Sequence, residues 1–225
     1  MSVLSVLKFD VLGSADIGNY GVASNSYLLT LDELTSRKLK RMEETLRVKV
    51  LGIRLVNCRV IRPFFAGNSR GLIISRIVDD ETVERIKRNL SVNVKVLDSK
   101  YTAVGNLIAA NDKGCIASPV FSREEIKEIK DVIDVELIQR PVAGATYVGS
   151  LLKANNMGGM ITPYADDEEM KKIEDILKVD IRRGTVNSGL QYVSAGILVN
   201  DRGALVGKLT DGVELMNVTD VFKLK

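Results

Sequence analysis

The stretch NSRGLIIS, Asn68–Ser75, decides the fold because its pattern returns three more times along the chain. The asparagines that open the copies are 43, 44 and 45 residues apart, and the later copies read NDKGCIAS from Asn111, NNMGGMIT from Asn155 and NDRGALVG from Asn200. A step of 43 residues back from Asn68 reaches Asn25, in NSYLLT, where Leu28 stands in place of the glycine. The pattern indicates either a site built from several copies of one element or a repeated architecture.

Helical periodicity returns at the same interval. Apolar residues at i, i+3 and i+7 give each repeat one buried helix face, in Leu39/Met42/Leu46, Val83/Ile86/Leu90, Ile126/Ile129/Ile133, Met170/Ile173/Leu177 and Leu215/Val218/Phe222. Asp79, Ser122 and Asp166 are typical N-cap residues, and acidic residues follow each of them in the first turn. These signals predict long helices over residues 32–46, 79–90, 122–134 and 166–178, and a fifth helix near the end of the sequence.

Short alternating runs follow the helices and predict strands: VKV from Val48, VNV from Val92, VEL from Val135 and VDI from Val179. One repeat is therefore strand, Asn-x-x-Gly turn, strand, capped helix, strand. The fifth repeat stops at VFKLK without its closing strand, so we expect the N-terminal SVLSVLKF, residues 2–9, to close a ring. The prediction is a single α/β domain over residues 1–225, made of five ~44-residue repeats.

The Asn-x-x-Gly segments are predicted to be hairpin turns, because Asn and Gly accept the left-handed backbone angles of tight turns. A phosphate-binding loop would place its glycine directly before a helix N-terminus. Here each glycine precedes a strand instead, so the repeated turns are interpreted as architecture, and the function has to lie elsewhere.

Composition excludes several classes of function. The 225 residues include no histidine, which removes Ser-His-Asp and Cys-His catalysis and histidine metal sites. Cys58 and Cys115 lie in apolar runs without metal-type spacing, as expected for buried side chains in a reducing compartment. The apolar runs fall well short of ~20 residues and the first residues lack a basic region, so we expect neither a membrane span nor a signal peptide, and a cytoplasmic location.

Charge is unevenly distributed, although the net charge is only +3. The four long predicted helices hold 19 acidic and 13 basic residues, and the rest of the chain holds 10 acidic and 19 basic residues. If the helices form the outer wall, basic groups gather at strand ends and suit a phosphate-rich partner, unless they are merely solvated. These basic residues are Arg59, Arg62, Arg70, Lys100, Lys113, Arg140, Arg182, Arg183 and Arg202.

Several motifs resemble the translation initiation factor 6 family of archaeal and eukaryotic ribosome anti-association factors. They are GNSRGLIIS (67–75), ERIKRNL (84–90), TAVGNLIAANDKG (102–114), GTVNSG (184–189), AGILVNDRGALVG (195–207) and TDGVELMNVTDVFKL (210–224), in order and nearly end to end. The resemblance implies the pentein fold, a five-bladed α/β propeller with five-fold pseudosymmetry, inner strands and outer helices. It agrees with the five repeats found independently.

The resemblance also implies a function. Such a factor binds the intersubunit face of the large (50S) ribosomal subunit, contacts a ribosomal protein there, approaches the sarcin–ricin region of the rRNA, and sterically blocks the small (30S) subunit. The resemblance implies, in addition, a role in large-subunit maturation. We therefore expect a cytoplasmic monomer that is not an enzyme and needs no metal, cofactor, nucleotide or membrane.

The family's binding face carries the loops that lead into the inner strands, and Asn106 is the first candidate contact. By analogy between repeats, the candidate set is Gly18, Asn19, Arg59, Arg62, Lys100, Tyr101, Thr102, Gly105, Asn106, Gly149, Ser150, Asn187 and Ser188. For Asn106 and Asn187 the alternative is hydrogen bonding within a turn.

Two departures from the family limit this transfer of residues. RPFF, Arg62–Phe65, stands where the family varies, and the sequence ends at Lys225 without the polar tail of eukaryotic members, which points to an archaeal-type factor. Other penteins are enzymes with a Cys nucleophile and a His partner, which this sequence does not provide. A non-catalytic pentein scaffold that binds another protein is the alternative function.

Overall fold

Each repeat folds into a three-stranded sheet with a long helix between its second and third strands. The computed structural model describes residues 5–56 and 58–224, and within these ranges five such sheets form. The strands are β1 Val6–Phe9, β2 Gly21–Ala23, β3 Leu28–Leu31, β4 Val50–Ile53, β5 Phe65–Gly67, β6 Gly71–Ser75, β7 Asn93–Leu97, β8 Ile108–Ala110, β9 Gly114–Ala117, β10 Glu136–Gln139, β11 Leu152–Ala154, β12 Gly159–Ile161, β13 Ile181–Arg183, β14 Ile197–Val199 and β15 Ala204–Gly207.

Long helices and short helices alternate along the same stretch of chain. The α-helices are α1 Ser36–Leu46, α2 Asp80–Asn89, α3 Val104–Leu107, α4 Arg123–Ile133, α5 Val148–Leu151, α6 Asp167–Leu177 and α7 Gly212–Val221. Three 3-10 helices in the described residues are η1 Ile17–Tyr20, η2 Arg62–Phe64 and η3 Val193–Ala195. A short helix thus precedes the first strand of each sheet.

The sheets, which we call blades 1 to 5, have the strand orders β2-β3-β4, β5-β6-β7, β8-β9-β10, β11-β12-β13 and β14-β15-β1. In each blade the first and second strands are antiparallel, and the second and third strands are parallel. In blade 5 the third strand is β1, which pairs in parallel with β15 from Val6 opposite Ala204 to Phe9 opposite Gly207. Residues 2–4 of the predicted closing stretch lie outside the described residues.

The blades surround a central channel. Residues of the inner strands β2, β5, β8, β11 and β14 line it, and the short helices contact one another in a circle from η1 through η2, α3, α5 and η3 back to η1. The architecture is the pentein α/β propeller, with inner strands and outer helices, that the resemblance implies.

Apolar side chains from the middle strands join neighbouring blades. Ile73 of blade 2 packs into the core of blade 3, Ile116 of blade 3 into that of blade 4, and Met160 of blade 4 into that of blade 5. Each is fully buried. A three-stranded sheet with one helix is too small to bury its apolar surface alone, so the ring is the stable unit.

The helix signals in the sequence are confirmed, with one shift. Asp79, Ser122 and Asp166 each accept a hydrogen bond from the backbone N–H three residues later and cap their helices. The first long helix, however, begins at Ser36 and not at residue 32, because Thr35 is its N-cap. Asp32 follows directly after β3 and is still bonded to the sheet, since its N–H donates to the carbonyl of Ile53 over 3.0 Å.

The strands that follow the helices begin one or two residues later than Val48, Val92, Val135 and Val179. Three of the long helices end in a residue with left-handed angles, at φ of 51° for Arg47, 50° for Asp134 and 55° for Lys178. These residues reverse the chain at the helix C-terminus, and the next residue or two complete the turn before pairing with the sheet starts.

The predicted backbone role of the Asn-x-x-Gly segments is wrong. Among the described residues, neither the four turn asparagines nor the glycines three positions later have a positive φ. The asparagine side chain shapes the turn instead: Oδ1 of Asn111 accepts hydrogen bonds from the N–H groups of Lys113 and Gly114, both over 2.9 Å. The same pair of bonds forms at Asn68, Asn155 and Asn200.

The other end of the same amide connects two blades. Nδ2 of Asn111 donates to the carbonyl of Asn155, over 3.0 Å, and to that of Leu177 at the end of α6, over 2.9 Å. Asn68, Asn155 and Asn200 repeat this geometry toward the following blade. Each amide is buried and uses both of its hydrogens, so we call these asparagines the interblade amides.

The turn glycines are required by close approach of the following blade. A Cβ atom on Gly71, Gly114, Gly158 or Gly203 would overlap a carbonyl oxygen near the C-terminus of the next blade's helix, at Val132, Ile176, Val221 and Thr45 respectively. Asparagine and glycine therefore recur together because both face the same neighbouring helix end.

The degenerate first copy is offset by one residue from the predicted alignment. Ser24, not Asn25, occupies the interblade position: its hydroxyl accepts from the N–H groups of Ser26 and Tyr27, and its carbonyl accepts from Nδ2 of Asn200. Tyr27, not Leu28, stands in place of the glycine. Serine has no amide to donate, so blade 1 meets blade 2 through the fully buried Tyr27 and a shared apolar core.

Substituting Asn111 with alanine removes two donated and two accepted hydrogen bonds and leaves buried carbonyls without partners. We expect Asn111→Ala to lower the free energy of unfolding by about 2–4 kcal/mol, measured by urea denaturation. Asn89→Ala is the matched control, because this exposed amide makes one bond to its own helix, and its effect should stay within about 0.5 kcal/mol. Equal losses for the two variants would contradict the interblade role.

Candidate functional site

The two ends of the ring differ in structure. One end, the turn face, carries the Asn-x-x-Gly turns and the C-termini of the long helices. The other end, the helix-start face, carries the short helices and the N-termini of the long helices. This division follows from topology, because a helix that links two parallel strands must begin at the end where the first strand finishes and return to the end where the next begins.

The candidates Gly18, Gly105 and Gly149 lie at the second position of η1, α3 and α5. All three are buried, and a Cβ atom on any of them would overlap a carbonyl oxygen of the neighbouring short helix, at Ser194, Arg62 and Gly105 respectively. Their role in the structure is to let the short helices meet around the channel.

The residues that follow these glycines, Asn19, Asn106 and Ser150, are brought together on the helix-start face and remain partly exposed. The N–H of Asn106 donates to the carbonyl of Ala103 over 2.9 Å. Its Oδ1 accepts from Nη1 of Arg62 over 3.3 Å, and its Nδ2 makes no hydrogen bond to any described residue. Asn106 therefore offers a free amide donor at the mouth of the channel.

Arg62 points into the channel and is not a surface residue. Arg62 lies three residues before β5, just as Gly105 and Gly149 lie three residues before β8 and β11. It is 8% exposed and donates to the carbonyl of Gly149 as well as to Asn106. Removal from water lowers the pKa of its guanidinium to about 10. Through these two hydrogen bonds the Arg62 side chain connects the short helices of blades 2, 3 and 4.

Lys153, which the sequence analysis did not single out, enters the same channel from β11. Its ammonium makes no hydrogen bond or ion pair with a described residue. Burial, followed by the charge of Arg62, lowers its pKa from the ordinary 10.5 to about 7. No sequence signal identifies it, because one lysine in a three-residue strand reads like an exposed edge residue.

The loop before α3 carries three further candidates. Lys100 is exposed and places its ammonium 5.1 Å from the ring centre of Tyr101. Tyr101 packs edge-on against Phe121, with 6.3 Å between ring centres, and Thr102 is partly exposed beside it. Arg59, in the equivalent loop of blade 2, is exposed and pairs with Glu33 over 2.9 Å. Lys100 is thus the cation of this set that has no carboxylate partner in the described chain.

Asn187 and Ser188 are held in a tight turn with left-handed angles, at φ of 52° and 63°. Nδ2 of Asn187 donates to the carbonyl of Ala15 over 2.9 Å and to Oδ1 of Asp16 over 3.0 Å, so its side chain connects blade 5 to blade 1. The carboxylate of Glu214 accepts the N–H of Ser188 over 2.9 Å. The side-chain amide of Asn187 is thus occupied by bonds between blades and not, as the alternative supposed, by bonds within its own turn.

The predicted single basic face does not form. Arg70, Lys113 and Arg202 lie on the turn face, where each donates to the carbonyl of the left-handed residue at the end of a neighbouring helix: Asp134, Lys178 and Arg47. Arg59, Arg62 and Lys100 lie at the opposite end. The turn position favours a basic residue because helix C-termini attract cations, and this local reason is independent of any partner.

Exposed apolar side chains, which the sequence analysis missed, gather on the helix-start face. Tyr147 and Tyr192 precede α5 and η3, are 42% and 37% exposed, and lie with ring centres 6.1 Å apart. Six more exposed residues lie in loops or helix starts at this end: Leu12, Val56, Ile77, Tyr164, Leu209 and Val213. The only available signal was their position after strand ends, where turn residues are ordinarily polar.

No α-helix in residues 5–56 and 58–224 is both long and apolar enough to cross a membrane. Over the same residues, no group of three or more Asp, Glu or Cys side chains is arranged to hold a metal ion.

These observations define a pentein propeller with one polar, internally bonded face and one face with exposed apolar side chains. The family model of the eIF-6 family matches residues 6–221. Translation initiation factor 6 of Nitrosopumilus maritimus is 45% identical over 220 residues, 97% of this chain and 99% of the relative. The Pyrococcus furiosus protein of the same name is 42% identical over 222 residues, 96% and 98% of the two chains. The chain belongs to the eIF-6 family of translation initiation factors.

A solved structure of a dimethylarginine dimethylaminohydrolase is also similar, with a TM-score of 0.47 and 14% identity over 74% of this chain and 67% of that one. At this level the likeness carries no argument about function.

The position of Lys153 predicts a pH dependence of stability. Its pKa is lower in the folded chain than in the unfolded chain, so between about pH 7 and 10.5 the unfolded state binds more protons and stability rises with pH. This contribution should rise by at most about 1.4 kcal/mol per pH unit and should be absent from Lys153→Met. The measurement is urea denaturation of both proteins at pH 6.5 and 9.5 in sodium gluconate. Parallel changes in the two proteins would contradict it.

Proposed function

We propose that this protein binds the large ribosomal subunit through its helix-start face and sterically prevents association with the small subunit. It acts as a cytoplasmic monomer without catalysis, cofactor or nucleotide, and its partner surface comprises a ribosomal protein and rRNA near the sarcin–ricin region. A further role in large-subunit maturation is compatible with the same interface. Family membership supports a ribosome-related partner.

The observation that carries the choice of face is the distribution of exposed apolar side chains. Tyrosines with a hydrophobic ring and a polar tip are favoured at the centres of protein interfaces, and Tyr147 and Tyr192 form an exposed pair beside the short helices. An apolar patch of this kind on a folded chain is typical of a protein-binding surface. The turn face, by contrast, uses its asparagines and basic side chains internally.

Among the candidate residues, those with uncommitted polar groups on this face are the best supported contacts. Nδ2 of Asn106 and the ammonium of Lys100 have no hydrogen-bonded partner in the described chain, and Asn19 and Ser150 occupy positions equivalent to Asn106. Lys100 suits an RNA phosphate, whereas the tyrosine pair suits a ribosomal protein. We assign Arg62, Gly18, Gly105, Gly149 and Asn187 to the support of this face and not to direct contact.

Steric blocking requires that the bound protein keep its shape under the approach of a second subunit. The interblade amides and the short-helix circle give the ring that rigidity. The alternative function is a pentein-fold scaffold that uses the same apolar face for another protein, and binding to the ribosomal subunit separates the two.

Sucrose-gradient sedimentation with separated subunits, at a magnesium concentration that promotes joining, tests the proposal. We expect the protein to migrate with the large subunit and to deplete the joined-ribosome peak. Tyr147→Ala and Asn106→Leu should each weaken large-subunit binding by about 10-fold or more. Tyr147→Ala should leave the melting temperature unchanged, whereas Asn106→Leu also removes the acceptor of Arg62 Nη1 and should lower it slightly.

Met157→Ala is the matched control for this experiment, because Met157 is 50% exposed but lies in the turn of blade 4, on the opposite face. It should bind like the wild type. If the wild-type protein stays at the top of the gradient, ribosome binding is excluded and the scaffold alternative stands. If Met157→Ala binds as weakly as the two variants, the assignment of the face is wrong.

A further inference from the structure

The central channel holds two cationic side chains, and the rest of its lining consists of backbone and apolar groups. Arg62 from η2 and Lys153 from β11 line a cavity of about 30 Å³, together with backbone and apolar groups of the inner strands such as Phe65, Ile108 and Leu198. This space is sufficient for one or two water-sized occupants, or for one chloride ion. The charged lining groups of this cavity, in the described chain, are the Arg62 guanidinium and the Lys153 ammonium.

Two like charges in such a space are unfavourable without a counterion. Two carboxylates, those of Asp112 and Asp201, line the adjoining space at the turn face. They are already held by other groups: the second Oδ of Asp201 accepts from Asn25 over 2.6 Å and from Asn156 over 2.8 Å. Asp112 accepts from Asn156 over 2.7 Å.

These carboxylates also form part of a closed polar ring. The N–H of each turn residue in the series Asn25, Ser69, Asp112, Asn156 and Asp201 donates to the side chain of the next, and that of Asp201 returns to Asn25. Neither carboxylate forms an ion pair with Lys153. The acidic groups therefore belong to the polar ring at the turn-face end of the channel. Arg62 and Lys153 have no carboxylate partner in the described chain.

We propose that the central channel binds one small monovalent anion, of the size of chloride, between the ammonium of Lys153 and the guanidinium of Arg62. The bound anion is a structural ion: it offsets the repulsion between two side chains that belong to different blades, and it stabilises the arrangement of the short helices through the bonds of Arg62 to Asn106 and Gly149.

The test compares melting temperatures in 0.2 M sodium chloride and 0.2 M sodium gluconate at pH 6.5. Gluconate maintains ionic strength but is too large for the cavity. The wild type should melt roughly 2–4 °C higher in chloride, and Lys153→Met should show no such difference. Lys171→Met is the control, because Lys171 is an exposed residue of α6 without an ion pair, and it should keep the chloride effect.

The effect should also shrink at pH 9.5, where Lys153 is neutral, although Arg62 stays charged. A second measurement needs no variant: a crystal soaked in sodium bromide should show an anomalous scattering peak in the channel between Lys153 and Arg62. Equal melting temperatures in the two salts, an undiminished chloride effect in Lys153→Met, or a channel without bromide would each overturn the proposal and leave water as its occupant.

Discussion

The buried amide that links one blade to the next is the interaction on which the rest of the structure depends. A single asparagine side chain folds its own turn through Oδ1 and fastens two carbonyls of the following blade through Nδ2, one in the neighbouring turn and one at a helix end. Since buried carbonyls need donors, the four amides satisfy carbonyls that would otherwise be orphaned at the C-termini of α1, α4, α6 and α7. The same contact sets the distance between blades, and this distance excludes a Cβ atom at the glycine.

The joint between blades 1 and 2 shows what happens when the amide is missing. Ser24 folds the turn but donates nothing across, and the fully buried Tyr27 replaces the glycine. The apolar cores of these two blades then merge, with Leu28 and Leu29 beside Leu72 and Ile74 in one cluster. Apolar packing thus takes the place of the interblade amide at this joint, beside the hydrogen bonds that Asn25 and Ser26 donate to Ser69.

Periodicity in the sequence was sufficient to predict the modules, because apolar spacing and N-cap chemistry act over a few residues and read directly as local structure. The roles of Asn111 and Gly114 were not predictable in this way. Their partners, Asn155 and Ile176, lie 44 and 62 residues away, so the sequence pattern was equally consistent with a strained turn. The one-residue offset at Ser24 has the same origin: only contact with Asn200 fixes the register.

The candidate surface divides along similar lines. Family resemblance identified the loops that lead into the inner strands as the binding surface, and the structure places Asn19, Asn106 and Ser150 on the helix-start face. Arg62, however, looked like an ordinary loop cation, and its burial follows from a fact that sequence does not express: it stands where its counterparts Gly18, Gly105 and Gly149 have no side chain, so its own has only the channel to occupy. Tyr147 and Tyr192 of the helix-start face were not predicted as site residues, because the exposure of an aromatic side chain depends on which other parts of the chain cover it.

The two faces of the ring differ in how their polar side chains are used. On the turn face, asparagines, carboxylates and basic residues are consumed in joining blades, and the basic residues donate to helix ends. That face therefore has few uncommitted polar groups to offer a partner. The helix-start face needs fewer polar bonds between blades, because glycine contacts bring the short helices together directly. The tyrosines Tyr147 and Tyr192 and the Nδ2 group of Asn106 are consequently available to a partner there. A rigid ring with one uncommitted face is suited to covering a surface and excluding a second partner from it.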